Sequence, residues 1–216
     1  MSASDNAKLT IVAISDTHTF HDRLAVPGGD VLVHAGDMCD EGSLDELTRA
    51  RDFLAALPHP HKIVVAGNHD LAFERQPEEA RRLFEGFIYL QDESWSIEGV
   101  TFYDSPWLPR ADDWAFMLPR GEPLAEKWAM IPDDTDVLVT HVPPRGIGDE
   151  IGAEPWREGC ADLLQRVQEV TPALHIFGHV HRMRGRWRIG PTTFVNANTD
   201  EGQDPATVIR HPPDGQ

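Results

Sequence analysis

Short apolar runs recur along the chain, and those at 9–14, 31–34, 63–66, 137–140 and 174–177 each read as a buried strand. Amphipathic segments lie between them. Ser43, followed three residues later by Glu46, has the form of a capping box. Behind it Leu44, Leu47, Ala50, Leu54 and Leu57 share one helical face. A second helix is expected over 77–87, where a proline and two glutamates form the first turn, and a third over 161–170, with Leu163, Leu164, Val167 and Val170 inward. Strand followed by helix, repeated, is an α/β pattern. Two stretches break the rhythm. Residues 95–103 and 187–196 alternate about Gly99 and Gly190, as antiparallel hairpins do, which asks for a mixed sheet or two sheets. Residues 104–136 are proline-rich and helical only over 124–130; Trp114 and Trp128 in it suit a satellite core under a long loop. One domain is expected over 8–199, with polar, loosely held ends at 1–7 and 200–216.

Composition narrows the function. The 216 residues hold 36 acidic and 19 basic side chains, a formal charge of −17. Tight binding to a large nucleic acid needs a basic stripe, and the sixteen arginines are scattered except at 182, 184, 186 and 188. No stretch approaches the ~18 apolar residues of a membrane span, and the start MSASDNAK lacks a leader pattern, so a cytoplasmic protein is expected. Cys39 and Cys160 make no disulfide framework, and Cys39 reads as a packed thiol.

The chemistry sits where the strands stop. In chain order come Ser15-Asp16-Thr17-His18, Gly36-Asp37, Gly67-Asn68-His69-Asp70, Thr140-His141 and Gly178-His179-Val180-His181. Sites in α/β proteins form beyond the carboxyl ends of strands, so the five clusters can converge. Carboxylates, imidazoles and an amide are all metal donors. Glycine before Asp37, Asn68 and His179 permits tight turns or close backbone approach. His34 and His175 lie within strands and read as hydrogen-bonded core histidines; His21, His59, His61 and His211 read as solvent-facing. Asp70 could act beside the ligands or as a helix cap.

These blocks in this order resemble the calcineurin-like metallophosphoesterase superfamily, over residues 11 to about 198: D-x-H, G-D, G-N-H-D/E, a lone histidine and G-H-x-H. Ser105-Pro106-Trp107, Trp114-Ala115-Phe116, Thr140-His141-Val142-Pro143-Pro144 and Thr193-Phe194-Val195-Asn196-Ala197 are similar to its small metallophosphoesterase-domain branch, related to class III cyclic-nucleotide phosphodiesterases. One departure separates the chain from protein Ser/Thr phosphatases. Their second block continues G-D-x-x-D-R-G, whereas here Glu41 follows Asp40, so the arginine they use on phosphate is missing.

The resemblance implies a four-layer αββα sandwich, two mixed β-sheets flanked by helices. It implies two divalent ions, manganese first and Fe, Zn, Co or Mg as alternatives, sharing Asp37. Asp16, His18 and His181 complete one ligand set; Asn68, His141 and His179 complete the other. Two such ions against Asp16 and Asp37 leave a positive site in an acidic protein. The implied reaction is in-line attack by a metal-bridging hydroxide on a small phosphodiester, such as a cyclic nucleotide. His69 would assist the leaving group and Asp40 would orient His69. Arg145, with Arg110 behind it, and Trp107 are the expected substrate contacts. A metal-dependent phosphomonoesterase, or a metal-binding scaffold with little turnover, remains open as an alternative. The partner expected is a small phosphate ester, with no large nucleic acid and no membrane.

Overall fold

The computed structural model describes residues 8–151 and 157–212. Its elements, in chain order, are β1 (Leu9–Ile14), β2 (Val31–Ala35), α1 (Leu44–Ala56), β3 (His61–Val65), α2 (Leu71–Arg75), α3 (Pro77–Leu83), β4 (Ile88–Tyr89), β5 (Glu93–Ile97) and β6 (Val100–Ser105). There follow β7 (Leu108–Pro109), β8 (Met117–Leu118), α4 (Glu122–Trp128), β9 (Val137–Thr140), α5 (Ala161–Val170), β10 (Leu174–Phe177), β11 (Gly185–Ile189), β12 (Thr192–Asn196) and β13 (Thr207–His211).

Two mixed sheets carry the fold. One runs β13-β1-β2-β3-β4, parallel except for β13; the other runs β11-β12-β10-β9-β6-β5, parallel in its middle and antiparallel at both edges. The two hairpins expected about Gly99 and Gly190 supply those edges, β5–β6 and β11–β12. Period-two alternation sorts the side chains. Ile11, Ala13, Val31, Val33, Ile63 and Val65 meet Phe102, Val137, Val139, Leu174, Ile176 and Val195 in a core between the sheets. Branched and small side chains there let the sheets stack at about 10 Å. The intervening positions, among them Val12, Leu32, Val64 and Leu138, pack with helix residues such as Leu47, Leu54, Leu163 and Val167. Parallel strands need a long crossover, and α1 between β2 and β3 covers the outside of one sheet while α5 between β9 and β10 covers the outside of the other. The αββα sandwich is the fold observed.

Local signals account for the elements. Ser43 Oγ accepts the Glu46 N–H at 3.2 Å and the Glu46 carboxylate accepts the Ser43 N–H at 3.0 Å, so the capping box forms. The helix expected over 77–87 ends at Leu83, and the one expected over 124–130 starts and ends two residues earlier. The tail expected to be loose at 200–216 contributes β13, which pairs with β1 and puts Ile209, 0% exposed, into the inter-sheet core. Three histidines expected at the surface are also buried. His211 belongs to β13, His21 packs on Phe53, and His59 is a buried residue of the connection between α1 and β3. Among the described residues no helix is long and apolar enough to cross a membrane.

The docking of β13 has a measurable consequence. Ile209→Ala empties a site in the inter-sheet core and should cost about 2–4 kcal/mol, read as a lower urea midpoint. An unchanged midpoint would mean that the tail does not pack there.

Candidate metal centre

The loops after β1, β2 and β3 and those after β9 and β10 leave the carboxyl ends of parallel strands and meet at one edge of the sandwich. Backbone hydrogen bonds lace the first two together: the N–H groups of Asp16, His18 and Thr19 donate to the carbonyls of Gly36, Asp37 and Met38. This path forces left-handed backbone on Asp16 (φ 54°), His18 (φ 39°), Asp37 (φ 56°) and His179 (φ 69°), a concentration of strain of the kind found at functional sites. Glycine is required where loops touch. At Gly36 (φ 100°) a Cβ would collide with the His141 ring and the Gly67 backbone; at Gly178 it would strike Ser15 and Asp16.

Contacts between the sheets at this edge fix the site. His141 Nδ1 lies 2.8 Å from the Ala35 carbonyl, and the His179 N–H donates to both Asp16 oxygens at 3.0 and 3.1 Å. A carbonyl only accepts, so Nδ1 of His141 carries the hydrogen and Nε2 carries the lone pair. That Nε2 faces Asp37 Oδ2 and Asn68 Oδ1, each at 3.1 Å. His18 repeats the pattern. Its Nδ1 is 3.1 Å from the Cys39 carbonyl, which turns Nε2 toward His181 Nε2 at 3.3 Å and Asp37 Oδ2 at 3.8 Å. Asp37 Oδ1 is taken by the His69 N–H at 2.8 Å, so Oδ2 stands between His18 and His141. His181 Nε2 is also 3.5 Å from Asp16 Oδ1.

Electron-pair donors facing one another across 3 Å need a cation or a proton between them. Three groups have one donor atom each within 4.8 Å of one another: Asp16, His18 and His181; His18, Asp37 and His69; Asp37, His141 and His179. The imidazole and carboxylate donors fit a divalent metal ion. Without one, a proton takes its place. Burial disfavours the imidazolium of His141, but Asp37 against it outweighs burial and pushes its pKa up to about 9. Burial likewise opposes the charge on Asp37, and His141 and His18 hold it well below the usual carboxylate range. His181 is raised by its hydrogen bond to Asp16.

The structure brings Asp16, His18, Asp37, Asn68, His69, His141, His179 and His181 together and corrects three expectations around them. The group on His69 Nδ1 is the backbone carbonyl of Asp40, at 2.6 Å; the Asp40 side chain is exposed. Trp107 is turned away, donating its indole N–H to Asp92 at 2.8 Å, packing on Phe116 and lying under Lys127. Trp114 takes the place by the metal centre instead, stacked on His69 with ring centroids 4.1 Å apart. Trp128 is core, as expected. His34 and His175 also behave as expected, each hydrogen-bonded to a threonine hydroxyl and depressed by burial to a pKa of about 3.

Two carboxylates had no assigned part. Asp70, fully buried, accepts four backbone N–H groups: Met38 and Cys39 on Oδ1, Asp37 and Gly67 on Oδ2, at 2.8–3.0 Å. Glu158 Oε2 lies 3.0 Å from His179 Nε2, at the far end of a connection that no apolar pattern marks. Asp70 did have a signal, a carboxylate directly after Gly67-Asn68-His69, but its donors come from two separate loops.

Comparison with known proteins agrees with this geometry. A family model described as calcineurin-like phosphoesterase matches residues 9–183. Human metallophosphoesterase domain-containing protein 1 is 40% identical over 211 residues, covering 87% of this chain and 65% of that protein, so the chain spans just under two thirds of its length. A Synechococcus protein named as a probable cyclic nucleotide phosphodiesterase is 28% identical over 237 residues, covering 96% of this chain and 84% of its own. Among solved structures, phosphopantetheinyl hydrolase from Mycobacterium tuberculosis shares the fold, with a TM-score of 0.64 at 17% identity and 92% of each chain covered.

Asp70→Asn tests the loop junction. Whichever way the amide sits, its NH2 faces two backbone N–H donors, so the substitution should cost roughly 2–6 kcal/mol and lower bound metal measured by mass spectrometry. Full stability and metal content would show that the junction is dispensable. His141 tests the exchange of proton for metal. Its pKa rises from 6.5 to about 9 on folding, so its protonated form stabilises the metal-free fold fully below pH 6.5, and that stability is lost as the pH climbs through 9. Melting temperature should therefore fall across this window in chelated protein and stay flatter in metal-loaded protein; parallel curves would contradict the assignment.

Proposed function

The chain belongs to the calcineurin-like phosphoesterase family, and on that premise we propose that it hydrolyses a small phosphodiester, a cyclic nucleotide first among them. Metal-dependent hydrolysis of phosphoesters is the chemistry of the family. The observation that carries the reading is the position of Asp37 Oδ2 between His18 Nε2 and His141 Nε2, one oxygen facing two donor sets. Asp16, His18, Asp37 and His181 would hold one divalent ion, and Asp37, Asn68, His141 and His179 the other. When bound, such ions supply positive charge for a phosphoryl oxygen and make a water acidic enough to act as nucleophile near neutral pH.

The chain's own residues do the rest. His141 and His18 keep their Nε2 lone pairs inward because backbone carbonyls occupy Nδ1. His69 has its Nδ1–H on the Asp40 carbonyl, so Nε2 is the atom free to exchange a proton with the leaving-group oxygen. Trp114 stacked on the ring limits its rotation. Asn68 offers a neutral carbonyl oxygen, which binds without cancelling positive charge. A diester is favoured by the missing phosphatase arginine after Asp40 and by the likeness to the Synechococcus protein named as a probable cyclic nucleotide phosphodiesterase. Manganese is the ion to load first, although the donor set suits Fe, Zn and Co as well.

A paired assay on chelator-stripped, manganese-reloaded protein tests this. Bis(p-nitrophenyl) phosphate should turn over faster than p-nitrophenyl phosphate, and chelator should abolish both rates. Monoester preference would replace the reading with a phosphomonoesterase. His69→Ala should keep its bound metal yet lose about 10²–10⁴-fold in rate on poorly activated leaving groups; loss of metal instead would make His69 a ligand.

A further inference from the structure

A cavity of about 700 Å³ opens beside the metal centre, with Asn68 and His179 in its lining. Its size suits the organic body of a ligand, well beyond a phosphoryl group alone. Trp114, Met117 and Ile151 give it apolar wall, and Trp114 is partly exposed. The rest of the lining is unexpected in a protein of charge −17: Arg110, Arg120, Arg145 and Arg157, four of its sixteen arginines.

These arginines are not spent alike. Arg157 is paired with Asp149 and Glu150, both at 2.6 Å. Arg120 donates to the carbonyls of Gly159 and Glu158, and Arg110 to that of Met117. A carbonyl fixes a guanidinium in place without neutralising it. Arg145 is exposed, and its guanidinium has no ion pair or hydrogen bond among the described residues, although its backbone is pinned by the Arg145 N–H to the Cys160 carbonyl at 3.0 Å. Two carboxylates also line the cavity, Asp112 and Glu158, and Glu158 is engaged by His179. Three guanidinium groups without an ion pair stand against two carboxylates, Asp112 and Glu158, so the lining keeps a surplus of positive charge next to an apolar wall.

Building on the phosphoesterase reading, we propose that this cavity is a second anion site: the ester acted on carries, on its organic part, a further phosphate held by Arg145 and Arg110, with an aromatic ring against Trp114. The scissile phosphoryl group belongs to the metal centre, so these arginines select among esters by what else the ester bears. A nucleotide diester bearing a further phosphate has this chemistry; a plain cyclic nucleotide, whose organic part is uncharged, leaves the arginines without a partner, so within the phosphodiester reading this site narrows the substrate to the former.

Calorimetric titration of manganese-loaded His69→Ala protein, in which turnover of such poorly activated esters is suppressed, with thymidine 5′-phosphate and thymidine 3′,5′-bisphosphate reads the site as binding alone. The bisphosphate should bind about tenfold more tightly, Arg145→Glu should erase that advantage, and Arg145→Lys should keep part of it. Arg145 is exposed, so neither variant threatens the fold. Equal affinities for the two ligands would overturn the proposal, as would an Arg145→Glu protein that loses both ligands to the same degree, which would put Arg145 on the scissile phosphate. Release of p-nitrophenol from thymidine 5′-(p-nitrophenyl phosphate) separates the two readings. No release with the bisphosphate preference intact overturns the phosphoesterase and keeps the anion site; release with equal affinities does the reverse.

Discussion

Four backbone N–H groups, from Asp37, Met38, Cys39 and Gly67, converge on the two oxygens of Asp70 deep inside the protein. Buried backbone donors must find acceptors, and a carboxylate has about four lone-pair sites to offer, so one side chain satisfies the turns after β2 and β3 together. Three residues of the metal centre hang from those two turns. Asp37 emerges from one and Asn68 and His69 from the other, and the His69 N–H closes the loop by holding Asp37 Oδ1. With that oxygen occupied, Oδ2 is left to face both histidine pairs. The strained backbone at Asp37 persists because these contacts over-determine it.

Much of this was readable from residue types alone. Mostly apolar runs gave strands 9–14, 137–140 and 174–177 with their bounds as observed, because strands buried on both faces are apolar at nearly every position. The ligand clusters were readable for the same reason: polar residues directly after such runs have nowhere to go but the sheet's carboxyl edge. What stayed hidden has a physical explanation in each case. The partner of His69 is a main-chain carbonyl, which every residue has, so the carboxylate of Asp40 drew the role instead. Trp107 and Trp114 lie seven residues apart in a long connection whose short strands β7 and β8 leave no periodic trace, and their places were exchanged. Strand β13 has one fully buried apolar residue, Ile209, and looked like tail.

The electrostatics resolve an apparent conflict. An acidic protein repels anions at long range, and screening confines that repulsion to about 8–10 Å at ordinary salt. Within that distance the balance reverses: carboxylates at the centre are consumed by histidines and the ions they are shaped for, and the neighbouring cavity holds arginines fixed by neutral carbonyls. Positive charge is therefore available where an ester would lie.

The central claim is that Asp37 is shared between two metal ions, and anomalous diffraction from crystals of the manganese-loaded protein tests it most directly. The account predicts two anomalous peaks flanking Asp37 Oδ2, one beside Asp16, His18 and His181 and the other beside Asn68, His141 and His179, separated by about 3.5–4 Å. A single peak, or a second one remote from Asp37, would contradict it.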